Sequence, residues 1–198
     1  MDSRETADPY KTRKSIFVRM NDTRQRELAW EEFYNLYAPM IAGFARRLGG
    51  RANEVTDVVQ DVITGFYEVS PRFQYDPEKG KFRGFLKTCT FGALRKHIRK
   101  AKVAGRSPGD IADADVEIDH VWDDVWEKEL LKKAYERVGQ RYKDNATFQA
   151  FKKVVLEGEP VKKVAADLGI SEESVYKAKQ RIAVAVGEEL EFVRRDVG

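Results

Sequence analysis

The sequence predicts an all-α protein made of two small helical domains joined by an acidic linker. Three observations lead there. Apolar residues recur at three- and four-residue spacing in successive segments. The charge balance inverts near the middle, from a basic run over 72–106 to an acidic one over 106–127. The last third carries two helical patterns separated by Gly169 in the arrangement of a helix-turn-helix. A chain of 198 residues suits one large domain or two of about 70 to 90 residues each. The inversion of charge selects two, with boundaries at 21–104 and 126–198, an N-terminal extension at 1–20 and the linker at 105–125.

Composition narrows the function classes. Charged residues make up 35% and hydrophobic ones 42%, with a pI near 8.8, so the chain is soluble and still able to bury cores. The single Cys89 cannot form an internal disulfide; a small core residue on a helix face is the expectation, in keeping with a reducing compartment. No apolar run approaches the roughly eighteen residues of a membrane span, and the start MDSRETADPYKTRK lacks the apolar stretch of a secretory signal. A cytoplasmic location is expected. His97 and His120 stand far apart without a Cys or acidic partner at ligand spacing, so no zinc site is expected. There is no Gly-rich phosphate loop, no G-x-S-x-G and no H-E-x-x-H. The expectation is a protein with no catalytic residues and no cofactor.

Taken in order, the extension offers only Ile16, Phe17 and Val18 as an apolar cluster, which either docks or stays loose. From Asp22 or Thr23, both good cap residues, the positions Trp30, Phe33, Tyr34, Tyr37, Ile41, Phe44, Ala45 and Leu48 follow helical spacing. Pro39 is expected to kink or divide that helix, and Gly49-Gly50 to stop it. A second helix begins near Asn53, with Val55, Val58, Val59, Val62 and Phe66 inward and Asp57, Gln60, Asp61 and Thr64 along the opposite, acidic face.

The third helix, Phe82 to Lys102, organises this half. Eleven Lys and Arg residues over 72–106 meet only Asp76 and Glu78. Phe82, Phe85, Leu86, Cys89 and Ala93 form its expected apolar face, whereas Arg95, Arg99 and Lys102 share another side. Clustered cations release counterions from a nucleic-acid backbone, which gives affinity independent of base sequence. Phe73, Tyr75 and Phe82 lie among turn formers and cations, where exposed aromatics stack unpaired bases. A solvated charged face and a hairpin of core aromatics are the alternatives.

Between Arg106 and Glu127 eight acids face one base, Arg106, and Ser107-Pro108-Gly109 opens the segment. This is the linker, with Trp122, Trp126 and Leu130 spaced for a helix that docks on the C-terminal domain. A short helix carries Leu130, Leu131, Ala134, Tyr135 and Val138; another starts at Asn145 and stops at Gly158. Pro160 then opens a helix with Val161, Val164, Ala165 and Leu168 inward, Gly169 turns the chain, and Ser171 caps the last helix. Val175, Ala178, Ile182 and Ala185 face inward there. Ser174, Tyr176, Lys177, Lys179, Gln180 and Arg181 face outward, as base-reading residues of a major-groove helix do; a plain helical hairpin is the alternative. Glu172 and Glu173 favour the helix dipole but repel a phosphate backbone there.

The stretches FYNLYAPMIAGFARRLG, DVVQDVITGFYEV, FRGFLKTCTFGALRKHIRK and EPVKKVAADLGISEESVYKAKQRI together resemble the bacterial RNA polymerase sigma factors of the extracytoplasmic-function group. The first three are similar to region 2 of that family and the last to region 4. The resemblance implies that Asp57, Gln60 and Asp61 bind the clamp helices of the polymerase's largest subunit. It implies that Phe73, Tyr75, Lys81, Arg83, Lys87, Arg95, Lys96, Arg99 and Lys100 hold the melted −10 element as a single strand. The outward face of the last helix would read the −35 element as duplex, and the acidic linker would thread a basic polymerase channel toward the RNA exit path. Core polymerase, promoter DNA and an anti-sigma protein are the partners it suggests. The chain departs from the family pattern at Phe85, where Trp is common, at Gly92, where many relatives carry Asn, and at Lys96, where Asp is frequent. The implied function is promoter recognition and opening with core polymerase. A free-standing helix-turn-helix regulator and a helical adaptor or sigma antagonist are the alternatives.

Overall fold

The computed structural model describes residues 14–73, 82–103, 115–143 and 145–197, and among them every regular element is helical. In order they are α1 (Lys14–Met20), α2 (Arg26–Arg47), α3 (Ala52–Val69), a 3₁₀ turn (Ser70–Arg72), α4 (Phe82–Val103), α5 (Asp115–Arg141), α6 (Ala146–Phe151), a π turn (Lys152–Leu156), α7 (Val161–Leu168) and α8 (Glu172–Val197). Two compact units divide within α5, between Glu129 and Leu130.

The first unit is organised by aromatic packing. Phe66 of α3 stacks on Phe33 of α2 with ring centroids 4.8 Å apart, and meets Phe17 of α1, Phe73 after the 3₁₀ turn and Phe82 at the start of α4 edge-on. Edge-to-face and offset geometries match the ring quadrupoles, adding about 0.5–1.5 kcal/mol per pair to area burial. The described end of the extension therefore docks: Ile16 and Met20 are buried, and Arg19 forms a two-pronged pair with Glu32. Asp22 is not the cap of α2. Its carboxylate accepts from the Arg24 backbone and the Gln25 side chain one turn before the helix starts.

Pro39, expected to kink or divide α2, does not divide it, and the helix runs unbroken through that position. A proline removes the donor to the carbonyl four residues earlier and crowds it, and Asn35 is on the exposed side where that carbonyl can turn to water. The apolar face of α4 also differs from the expected one. Its buried row is Phe82, Leu86, Thr90, Leu94 and Ile98, a strict four-residue repeat, because α4 packs against both α2 and α3. Thr90 fits that row by donating its hydroxyl to the Leu86 carbonyl at 2.7 Å. Phe85 is exposed, and Cys89 and Ala93 are only half-buried.

The described end of the acidic segment is the start of α5. Trp122 and Trp126 dock on α2, earlier in the chain, instead of on the C-terminal helices: Trp122 meets Phe44 edge-on at 4.9 Å and Trp126 lies 6.2 Å from Tyr37. The approach is close enough that a Cβ on Gly43 would lie 2.9 Å from Val125 Cγ1.

In the second unit, Ala134, Val138, Phe151, Ile182, Ala185 and Val186 form one core cluster, and Ala150, Val164, Ala165, Val175 and Ala178 another. Glu189 clamps two turns of α5 through Arg137 at 2.9 Å and Arg141 at 3.0 Å. Asn145 caps α6 by accepting from Thr147, and the helix winds into the π turn before Gly158, at φ +71°, ends it.

Trp122→Ala should destabilise the protein by roughly 3–5 kcal/mol, the usual result for emptying a buried tryptophan site. Urea denaturation followed by far-UV circular dichroism checks it, and a loss below about 1 kcal/mol would show that α5 is not seated on α2.

Candidate nucleic-acid interface and its acidic counterpart

The buried stripe of α3, Val55, Val58, Val62 and Phe66, turns Asp57, Gln60, Asp61 and Thr64 outward, and all four are exposed. These carboxylates are not isolated. Asp61 accepts from Lys96 at 3.2 Å and meets His97 Nε2 at 3.1 Å, while Asp57 lies 3.9 Å from His97 Nδ1. Partial desolvation pushes the Asp61 carboxyl upward, but the hydrogen bonds and charges of Lys96 and His97 outweigh it and hold the group below the ordinary value. The two faces read separately in the sequence are thus tied by α4 residues that sit side by side.

On α4 the expected single-strand residues separate into three groups. Arg95, Arg99 and Lys100 are exposed and, among the described residues, meet no carboxylate; Arg95 lies over the Phe91 ring at 5.5 Å. Lys96 is engaged with Asp61. Arg83 and Lys87 are engaged by α5: Arg83 donates to Asp123 and Lys87 to Asp119, and the Arg83 guanidinium lies 5.1 Å from the Trp126 ring centre. Phe73 packs in the aromatic cluster against Phe17, Phe66, Phe82 and Phe85, half-buried instead of standing free. Tyr75 and Lys81 lie outside the described residues.

A groove of about 560 Å³ runs between α3 and α4. Val62, Gly65, Phe66, Phe85, Leu86, Cys89 and Gly92 line it, and Asp61, Glu68 and Lys96 stand at its rim. Added Cβ atoms at Gly65 and Gly92 would meet nothing within 4 Å, so both glycines widen it. Burial pushes the Cys89 thiol above its ordinary range, so it stays protonated. Helical periodicity did not reveal this groove. Its one signal was the pair of glycines inside helices, where each costs about 1 kcal/mol relative to alanine.

In the second unit Gly169 takes the left-handed conformation at φ +64° and ends α7, and the Ile170 N–H reaches the Ala165 carbonyl. Ser171 Oγ accepts from the Ser174 N–H at 3.1 Å and contacts the Ser174 hydroxyl at 2.8 Å. Val175, Ala178 and Ile182 are buried, and Ser174, Tyr176, Lys177, Lys179, Gln180 and Arg181 are all exposed on α8. Lys177 is paired with Glu173 one turn earlier, at 2.6 Å.

Among the described residues no group of His, Cys, Asp and Glu could hold a metal ion, and no helix is long and apolar enough to cross a membrane.

The sign of the Asp61 effect comes from the lowered folded-state value. The carboxylate stabilises the fold above the ordinary 3.8, and the contribution is lost as pH falls through the folded-state value. Asp61→Asn should therefore be less stable than the native chain near pH 7, and the two should converge as pH falls through the lowered folded-state value. Urea denaturation across that range measures it; a constant difference would show that the pairs do not involve the ionised group.

No curated protein matches the chain. A structure described as CnrH in complex with the cytosolic domain of CnrY covers 90% of this chain and 96% of its own, at 20% identity and a TM-score of 0.37, too low to weigh in the assignment. Residues 33–103 match the family Sigma-70 region 2, a span that opens at the buried Phe33 and closes at the end of α4.

Proposed function

We propose that this chain is a sigma factor of the extracytoplasmic-function type, which binds RNA polymerase core, directs it to promoters and helps open the −10 region. The observation that carries this reading is the Sigma-70 region 2 match over the segment in which α3 exposes an acidic face and α4 a basic one.

Asp57, Gln60 and Asp61 dock on the clamp helices of the polymerase's largest subunit. Arg95, Arg99 and Lys100, with Arg83, Lys87 and Lys96 once their carboxylate partners are exchanged, neutralise the backbone of the separated −10 strand. Phe85, the exposed ring near the α4 start, stacks a base, worth about 1–3 kcal/mol. Binding the open strand in preference to the duplex shifts the melting equilibrium, so no covalent step is needed. The outward face of α8 holds the −35 duplex: Lys179 and Arg181 contact phosphates and Ser174, Tyr176, Lys177 and Gln180 face the base edges. An anti-sigma protein is a further partner of this reading.

Transcription in vitro with purified core polymerase on a promoter library tests it. The native chain should confer promoter-specific transcripts. Asp57→Arg with Asp61→Arg should abolish core binding in a pull-down, and Arg95→Ala, Arg99→Ala and Lys100→Ala together should leave core binding intact while cutting open-complex formation by at least about tenfold, the effect of losing some 1.4 kcal/mol. Tight duplex binding by the chain alone in a gel shift, with no response to charge reversal on α3, would favour a free-standing regulator instead.

A further inference from the structure

The first turns of α5 place carboxylates on the cations at one end of α4. Lys87 pairs with Asp119 and Arg83 with Asp123, and Arg47 at the end of α2 lies 3.8 Å from Asp124. Two cations of α4 are thus matched by aspartates one turn apart on α5, and a third cation, from α2, meets a third aspartate of the same helix. Arg47 was not among the residues singled out from the sequence. Only the seating of α5 on α2 brings it to a carboxylate.

Two features distinguish this arrangement from ordinary surface pairing. The aspartates stay open to water, with side-chain exposures of 62–63%, so each pair can be exchanged without opening the core. The helix carrying them is anchored separately, by Trp122 on Phe44, Val125 against Gly43, and Trp126 beside Tyr37. The apolar anchor thus holds anions over cations whose charge suits phosphates. Farther along the same helix as Arg83 and Lys87, Arg95, Arg99 and Lys100 meet no carboxylate among the described residues.

We infer that Asp119, Asp123 and Asp124 act as an internal competitor for nucleic-acid phosphates at Arg47, Arg83 and Lys87, so that a DNA strand binding α4 must displace this carboxylate row. The row lowers the affinity of the chain alone for DNA and leaves the far half of α4 as the first landing point. The inference rests on the reading of α4 as a single-strand site. It adds Arg47 to that site and assigns the acidic residues of α5 a regulatory contact.

The test uses the full chain and a fluorescein-labelled single-stranded DNA oligonucleotide of mixed sequence, with binding read by fluorescence anisotropy over a range of salt concentrations. Asp119→Asn, Asp123→Asn and Asp124→Asn together keep side-chain shape and remove the competing charge, and circular dichroism confirms the fold. The triple variant should bind several-fold tighter at low salt. Its plot of log affinity against log salt should steepen by about two, since each freed cation that gains a phosphate contributes roughly 0.7 for single strands. The gain should vanish when Arg47→Ala, Arg83→Ala and Lys87→Ala are added. An unchanged affinity and slope, or a gain that survives loss of the three cations, overturns the inference. Where that happens while Arg95→Ala, Arg99→Ala and Lys100→Ala still abolish binding, the single-strand reading of α4 stands without the competitor. Absence of binding by both the native chain and the triple Asn variant overturns both.

Discussion

The packing of Phe66 constrains everything else in the first unit. It lies where α1, α2, the turn after α3 and α4 converge, touching Phe17, Phe33, Phe73 and Phe82. An α-helix that buries residues 55, 58, 62 and 66 has no freedom over where residues 57, 60, 61 and 64 go. Seating Phe66 therefore presents the acidic face of α3. Phe82 does the same for α4: with the 82, 86, 90, 94, 98 row inward, Arg95, Arg99 and Lys100 point to solvent. One apolar cluster thus orients two surfaces of opposite charge, although it contributes no charge itself.

The net charge of +3 conceals how charge is handled. The basic excess over 72–106 is answered from two sides, by Asp61 of α3 on Lys96 and by Asp119 and Asp123 of α5 on Lys87 and Arg83. These contacts join residues 32 to 40 positions apart, so they depend on the fold. Exposed ion pairs contribute roughly 0–1 kcal/mol each. Their importance lies less in stability than in what an incoming polyanion or partner has to exchange, since every such contact is replaced rather than simply gained.

Much of this was legible in the sequence where the signal is local. The start of α4 at Phe82, the left-handed Gly169 and the Ser171 cap each depend on residues within one turn, and the faces of α3 and α8 come from helical period alone. Apart from the Asp22 cap, the failures are long-range. Trp122 and Trp126 announce a buried helix, but nothing in their spacing says whether the cover comes from earlier or later in the chain. The face of α4 was misplaced because Phe85, Cys89 and Ala93 are as apolar as the true row; only the simultaneous presence of α2 and α3 decides between them. Pro39 does not divide α2 for a related reason, since its effect depends on whether the freed carbonyl meets solvent. The groove left no trace beyond Gly65 and Gly92, whose meaning requires the opposing helix.

The anchoring and the charge of α5 can be separated energetically, and that decides what kind of contact it makes. Burying a tryptophan is worth several kcal/mol, whereas each exposed pair adds at most about 1. Phosphates reaching Lys87 and Arg47 can therefore replace carboxylates while Trp122 stays on Phe44. Arg83 differs, because Trp126 also contacts its guanidinium, and moving it toward a phosphate sacrifices a cation–π contact of about 0.5–1 kcal/mol as well. Exchange should accordingly run inward from the periphery of the patch, with Arg83 the last cation released. A helix held by tryptophans and opposed through aspartates yields its charges by degrees without leaving its seat.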